Sequence, residues 1–233
     1  MAIRKKNSTS LSEFLSYLSR VDQTNNWRIP ALAELRKELG VSIASLREQL
    51  EVARMLGLVE VRPKTGIKRL KYTFKPAVKQ SLDYAVTIDP SAFRYFSDLR
   101  NHIETTYWYE AVTLLKEDDI QYLKELIKRA ETKLMNQPIQ IPHEEHRELH
   151  LSIYRRLNNP FVIGLLETYW EEYESIGLNV YTDLNYLEKV WMYHKKMVDS
   201  ILSGEFAIGY QALLDHTDLL LQRSKPVLKQ QFE

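Results

Sequence analysis

The sequence predicts a mainly α protein in two unlike parts: three short helices closed by a β-hairpin, then an all-α antiparallel bundle of six to seven helices. Three observations predict it. Gly and Pro number only 7 and 8 in 233 residues, too few to punctuate many short strands. Apolar residues recur at helical spacing along most of the chain. The charge is divided: residues 1–75 hold 15 Lys and Arg against 7 Asp and Glu, a net of +8, and the remainder is net −7, although the whole sums to +1.

The first helix is predicted over residues 10–21, where Leu11, Phe14, Leu15 and Leu18 fall on one stripe, and the polar residues 22–28 end it. A second starts at Pro30, a good first-turn residue, carries Leu32, Leu35 and Leu39, and stops at Gly40. Ser42 can cap a third, whose Leu46, Leu50, Ala53 and Leu56 form the buried stripe before Gly57 closes it. The period then changes: residues 58–62 read as a strand, Pro63-Lys64-Thr65-Gly66 as a tight turn and residues 67–70 as the returning strand. Two short helices split by Gly40-Val41-Ser42 and followed by a basic hairpin make a winged helix-turn-helix, assigned to residues 1–72. Residues 73–89, with Pro76 and no sustained helical period, are taken as a linker. Residues 90–233 read as helices over 91–115, 118–136, 142–157, 160–176, 184–203 and 205–223, joined by loops short enough for an antiparallel bundle.

Composition removes several functions. With 44% hydrophobic and 27% charged residues the chain is an ordinary globular one. Zero cysteines exclude disulfides, iron–sulfur clusters, thiolate zinc fingers and a cysteine nucleophile. No apolar run approaches the ~18 residues of a membrane span, and residues 1–10 lack the apolar segment of a signal peptide, so a cytoplasmic protein without a membrane partner is expected. A basic third joined to an acidic remainder suggests one domain for a polyanion and another for something else.

In a helix-turn-helix the second helix of the pair enters the major groove. Here it starts at Ser42. With Leu46 and Leu50 pointing inward, Ala44, Ser45, Arg47 and Glu48 lie on the opposite face or its flanks. Arg47 can read guanine bidentately, while Ser42 and Ser45 suit phosphates. Lys64 and Thr65 at the wing tip, with Lys68 and Arg69 behind them, suit the DNA backbone or the adjoining minor groove. Double-stranded operator DNA is the expected partner. The run Ile29-Pro30, Leu35, Leu39-Gly40-Val41-Ser42, Leu46-Arg47-Glu48, Leu50, Leu56-Gly57-Leu58-Val59-Glu60-Val61-Arg62-Pro63 and Gly66 resembles the DNA-binding domain of GntR-family transcriptional regulators. That resemblance implies a homodimer on a short palindromic operator, with Arg47 among the base-reading residues. The chain departs from it at Ala33 and Ile43, where many members carry DNA-contacting arginines.

All 6 histidines lie beyond residue 100. His146 and His150 stand four apart on a predicted helix, so their rings share a face, and His194 and His216 lie on the last two long helices. Imidazoles from three helices can converge on an ion inside a bundle; each can equally be a surface or hydrogen-bonded residue. Enzyme templates fail: there is no H-E-x-x-H, no Glu-x-x-His, no phosphate-cradling glycine loop and no G-x-S-x-G.

The acidic part resembles the FCD domain, the helical effector domain of the FadR subfamily of GntR regulators. The resemblance runs through Asp98-Leu99-Arg100-Asn101-His102-Ile103-Glu104, then His146-Arg147-Glu148-Leu149-His150 with Asn159-Pro160, His194 with Asp199-Ser200-Ile201 and Gly204-Glu205, and Asp215-His216. It implies a divalent ion held by His150, His194 and His216, with His146 standing where the common pattern has aspartate. Replacing that carboxylate by an imidazole leaves the ion at +2 instead of +1, which favours Zn²⁺ or Ni²⁺ over Mg²⁺ or Mn²⁺ and strengthens anion binding; the alternative is that His146 swings away and leaves a three-histidine site. Arg100 can clamp the carboxylate of a small effector or pair with Glu104 one turn on; one or two of the many Tyr and Trp side chains can line the pocket.

The reading is therefore a transcriptional regulator, not an enzyme, in which a small carboxylate on the metal and Arg100 shifts how two DNA-binding heads are spaced. Two alternatives stand beside it. One is a mononuclear metal hydrolase tethered by its N-terminal domain, and the other a dimeric DNA-binding protein without an effector.

Overall fold

The computed structural model describes residues 11–21, 28–175 and 184–230, with side chains to residue 219. The expected helix start at residue 10, the polar segment 22–27, the break at 177–183 and Tyr181, one of the tyrosines counted as able to line the pocket, lie outside the described residues. Tertiary contacts divide the chain into two compact units, Met1–Gln80 and Ser81–Glu233.

In the first unit, α1 (Glu13–Arg20) is capped by the Ser12 hydroxyl, which accepts from the Leu15 backbone N–H, and buries Phe14 and Leu18. Leu11 precedes the helix and is exposed, so the predicted stripe is one residue shorter than its spacing implied. Helix α2 is Leu32–Leu39, with Ala31 at its N-cap. Pro30 thus lies before the helix and not in its first turn. The residues just ahead of it form a short strand that the sequence reading missed, β1 (Arg28–Ile29). Two residues carry no detectable period, and this pair is fixed from outside by antiparallel pairing with β3. Gly40 ends α2 at φ 69°, where its N–H reaches the Arg36 carbonyl; a side chain with a Cβ is disfavoured in this left-handed conformation.

Helix α3 (Ile43–Met55) starts at Ser42, whose hydroxyl accepts from the Ser45 backbone N–H at 3.1 Å. It buries Leu46 and Ala53, whereas Leu50 is half-buried and Leu56 caps the C-terminus. Gln49 ties α1 to α3, accepting from the Phe14 N–H and donating to Glu13. The wing consists of β2 (Val59–Arg62) and β3 (Gly66–Arg69), in register from Arg62 opposite Gly66 to Val59 opposite Arg69. Together the strands make a sheet of order β1-β3-β2 over a core of Phe14, Leu18, Ile29, Leu35, Leu46, Ala53, Val59 and Ile67.

Residues 73–89 are not irregular: Lys75–Ile88 form α4. Pro76 sits in its first turn, where a missing N–H removes no intrahelical bond, and no Gly or Pro follows until Pro90. Its period is hard to read because Leu82 is its one buried residue, while Tyr84 and Ile88 are exposed.

The second unit continues with α5 (Ala92–Thr113), α6 (Glu117–Met135), α7 (His143–Tyr154), α8 (Pro160–Ser175), α9 (Leu184–Ser203) and α10 (Phe206–Gln230). The fold is mainly helical, a winged helix-turn-helix unit followed by a helical bundle. Helix α9 packs along α10 and α6, and α5 touches α7, α8 and α10. Trp108, Leu123, Leu126, Leu149, Ile153, Tyr154, Leu166, Met197 and Leu213 fill the core. Among the described residues no helix is long and apolar enough to cross a membrane.

Candidate metal centre and nucleic-acid interface

Helices α7, α9 and α10 each send histidine into this core. The spacing of four between His146 and His150 puts both on the inner face of α7, and His194 and His216 come from α9 and α10. His150, His194 and His216 are fully buried. Their Nε2 atoms form a triangle with sides of 3.1 Å (His150 to His194), 3.2 Å (His150 to His216) and 3.3 Å (His194 to His216). The His146 ring lies 4.7 Å from that of His194 and 5.2 Å from that of His150, wedged against Trp170 at 4.7 Å. One ligand atom from each of the four falls within 4.8 Å of the others.

This donor set fits a divalent ion. In a tetrahedral zinc site with Zn–N of about 2.0–2.1 Å, neighbouring nitrogens stand about 3.3–3.4 Å apart, close to the triangle's sides. The nitrogens cannot satisfy one another well, because facing lone pairs repel and a ring N–H points outward in its own plane. Moreover, His146 Nε2 is buried with no hydrogen-bond partner among the described residues. Burying such an atom unpaired costs about 1–3 kcal/mol.

The electrostatics keep the donors free. Burial holds the His146, His194 and His216 pKa values well below the usual imidazole value, and their mutual repulsion, together with the Arg100 charge, pushes the same way. His150 is also lowered by burial, with Glu104 pulling it upward and Arg100 downward. Neutral imidazole is the form that binds a cation.

Arg100 and Glu104 form an ion pair, with Nε and Oε1 3.0 Å apart and both side chains buried. Of the two roles expected for Arg100, this pairing is the one formed in the structure. Its Nη1 donates to Asn101 Oδ1 at 3.0 Å, and its guanidinium lies 4.7 Å from the Tyr169 ring centre and 5.2 Å from that of Trp170. Glu104 Oε2 lies 3.1 Å from His150 Nδ1. Burial would raise the Glu104 pKa, but Arg100 and His150 more than offset it, and it ends below the usual carboxylate value. Sequence reasoning named Glu104 only as a partner for Arg100. That its carboxylate also reaches His150, 46 residues away on another helix, has no local sequence signal.

In the first unit, Ala44 and Arg47 are exposed on α3, and Lys64, Thr65 and Lys68 are exposed on the wing. Lys64 stands at φ 69° at the tip, a conformation uncommon for a residue with a Cβ. Ser42 and Ser45 are engaged locally. The Ser42 hydroxyl caps the helix and the Ser45 hydroxyl accepts from Gln49 Nε2 at 3.1 Å.

The FCD domain family matches residues 96–219, which include Arg100, Glu104 and all four clustered histidines. The chain is 23% identical over 201 residues to the Uxu operon transcriptional regulator of Escherichia coli (strain K12), covering 84% of this chain and 77% of that one. A solved structure of Streptococcus agalactiae GntR superposes with a TM-score of 0.63 at 15% identity, covering 90% of this chain and 96% of the other, which places the fold. The chain belongs to the FCD domain family.

Proposed function

We propose that this chain is a GntR-family, DNA-binding transcriptional regulator and not an enzyme, and that it senses a small carboxylate through a divalent ion, Zn²⁺ or Ni²⁺, held by His146, His150, His194 and His216. The observation that carries the reading is the triangle of buried Nε2 atoms with sides of 3.1–3.3 Å. A bound divalent ion supplies the positive charge that an anionic metabolite recognises. The chain's own residues leave that charge unbalanced, since the four imidazoles are neutral and Arg100 and Glu104 cancel one another. Arg100 reaches the carboxylate by exchanging its Nη1 contact with Asn101. Effector binding then shifts the population of homodimers toward one spacing of their two DNA-binding units. At each operator half-site Arg47 reads a base edge beside Ala44, and Ser42, Ser45, Lys64, Thr65 and Lys68 hold the backbone.

The test is metal analysis of the purified protein, coupled to operator titrations with and without a panel of small mono- and dicarboxylic acids. One ion per chain, lost in His150→Ala and His194→Ala, and a carboxylate that changes the operator Kd are expected. Absence of stoichiometric metal after incubation with Zn²⁺ or Ni²⁺ would overturn the metal reading. Metal without any carboxylate response in operator Kd or melting temperature would leave the dimeric DNA-binding protein without an effector.

A further inference from the structure

We propose that Glu104 is a positioning residue that fixes His150 as its Nδ1–H tautomer and so leaves the His150 Nε2 lone pair bare toward His194 and His216. Its consequence for metal affinity rests on the metal reading above; the tautomer itself does not.

His150 Nδ1 has two buried neighbours at the same distance, Glu104 Oε2 at 3.1 Å and Arg100 Nη2 at 3.1 Å. A ring nitrogen of neutral imidazole carries either a hydrogen or a lone pair, so it can serve one of them. Were Arg100 the donor, the ring hydrogen would sit on Nε2, in the middle of the triangle, where it would block a cation. Were Glu104 the acceptor, the hydrogen would sit on Nδ1 and the triangle would receive a lone pair.

The needs of the two neighbours decide between these. Glu104 is fully buried, and its Oε1 faces Arg100 Nε at 3.0 Å without an aligned hydrogen bond. His150 is the hydrogen-bond donor that Oε2 has at hand, and a buried carboxylate oxygen left without one is costly. Arg100 is better provided for. It has Asn101 as an acceptor and the faces of Tyr169 and Trp170 beneath its guanidinium. The carboxylate therefore takes the Nδ1 hydrogen. Arg100, whose Nε lies 3.0 Å from Glu104 Oε1, holds the carboxylate in place.

His150 differs in this from its two partners. The Nδ1 atoms of His194 and His216 are buried with no hydrogen-bond partner among the described residues. Their tautomers are not set from behind, so His150 is the ring of the triangle whose donor nitrogen is prepared before any ion arrives. Partners of this kind on metal-bound histidines change affinity by about 10–100-fold when removed.

The decisive variant is Glu104→Gln, of the same shape. Its amide oxygen is drawn to Arg100, which turns the NH₂ group toward His150 Nδ1 and forces the hydrogen onto Nε2. The first readout is ¹⁵N-edited NMR of the imidazole nitrogens in metal-free protein, with His150 assigned by its loss in His150→Gln. Wild type should show His150 protonated at Nδ1, and the variant at Nε2. The second is Zn²⁺ affinity by competition with a chromophoric chelator, expected to fall about 10–100-fold. An Nε2–H tautomer in metal-free wild type, or a Zn²⁺ affinity in Glu104→Gln within twofold of wild type, would overturn the proposal. If Glu104→Gln does not fold because it leaves the Arg100 charge unpaired, Arg100→Met/Glu104→Met removes both charges together. Unchanged Zn²⁺ affinity in that double variant overturns the proposal as well. Should wild type bind no Zn²⁺ at all, the metal reading fails, while the NMR readout still decides the role of Glu104.

Discussion

Gly209→Ala should damage the protein at a distance from every proposed ligand. A Cβ at Gly209 on α10 would lie 2.0 Å from Ser200 Oγ, 2.5 Å from Trp108 Cζ2 and 3.2 Å from Ser200 Cβ. Carbon atoms in contact sit about 3.5–4.0 Å apart, so the indole or the helix must move by about 1 Å. Neither is free. Trp108 is fully buried and its Nε1 donates to the Phe206 carbonyl at 2.9 Å, which ties the ring to the same helix. Ser200 is buried, and its hydroxyl donates to the Met197 carbonyl at 2.7 Å. Overpacking of this kind costs about 1–3 kcal/mol, and the better helix propensity of alanine returns up to about 1 kcal/mol. A net loss of about 1–2 kcal/mol should lower the melting temperature of metal-free protein by about 2–8 °C. His216 follows Gly209 by seven residues, two turns along the same face, so parting α10 from α9 also widens the 3.3 Å gap between His216 and His194. Zn²⁺ affinity measured by chelator competition should fall in parallel. Adding Ser200→Ala removes the 2.0 Å contact but not the one with Trp108, so it should restore part of the loss. A Gly209→Ala protein that melts at or above the wild-type temperature would refute this packing account.

Further outcomes follow from the same geometry. Asp119 accepts from Arg156, Arg155 and the Lys116 backbone N–H, and the Arg156 hydrogen bond leads in holding its pKa down from 3.8 to about 2. A pKa depressed on folding contributes stability that is present above about pH 4 and lost as the pH falls through about 2. Asp119→Asn should cost about 1–2 kcal/mol at pH 7, discounted for the half-exposed arginines, in urea melts whose difference from wild type closes at low pH. Ser42→Ala removes the cap of α3 and should destabilise the N-terminal unit by about 1 kcal/mol in denaturant titrations. Arg47→Ala should weaken the operator complex about 5–150-fold and relax the preference at one base pair, read by fluorescence anisotropy on operator variants. Operator affinity should fall steeply with rising salt, and a flat response would remove the phosphate contacts. Zn²⁺ at 100 times its Kd should add about 2.7 kcal/mol to the stability of the bundle, seen as a concentration-dependent melting temperature; the His150→Ala protein should show none of it.

The local grammar of the chain was legible without coordinates. Ser42 before Leu46, Gly40 and Gly57 as stops, and Pro63-Lys64-Thr65-Gly66 between apolar runs each act over a few residues, and the corresponding helix starts, stops and turn were found within a few positions. The long helices were found for the same reason: their apolar period repeats over many turns. What failed were features whose cause lies outside the segment. Strand β1 exists because β3 pairs with it, and α4 shows little period because little of it is buried.

For the candidate site the division is similar. The sequence by itself determined that any ion here must be held by nitrogen and oxygen, since there is no cysteine, and it supplied four histidines on three helices. Tertiary structure alone decided that three Nε2 atoms meet within 3.1–3.3 Å, and that Arg100 turns to Glu104 instead of standing free. Helix periodicity fixes which face a side chain occupies, but not the rotation and offset at which two helices pack. Those are set by the interlocking of Trp108, Gly209 and Ser200 and by the need to pair every buried charge, and both depend on residues far apart in the chain.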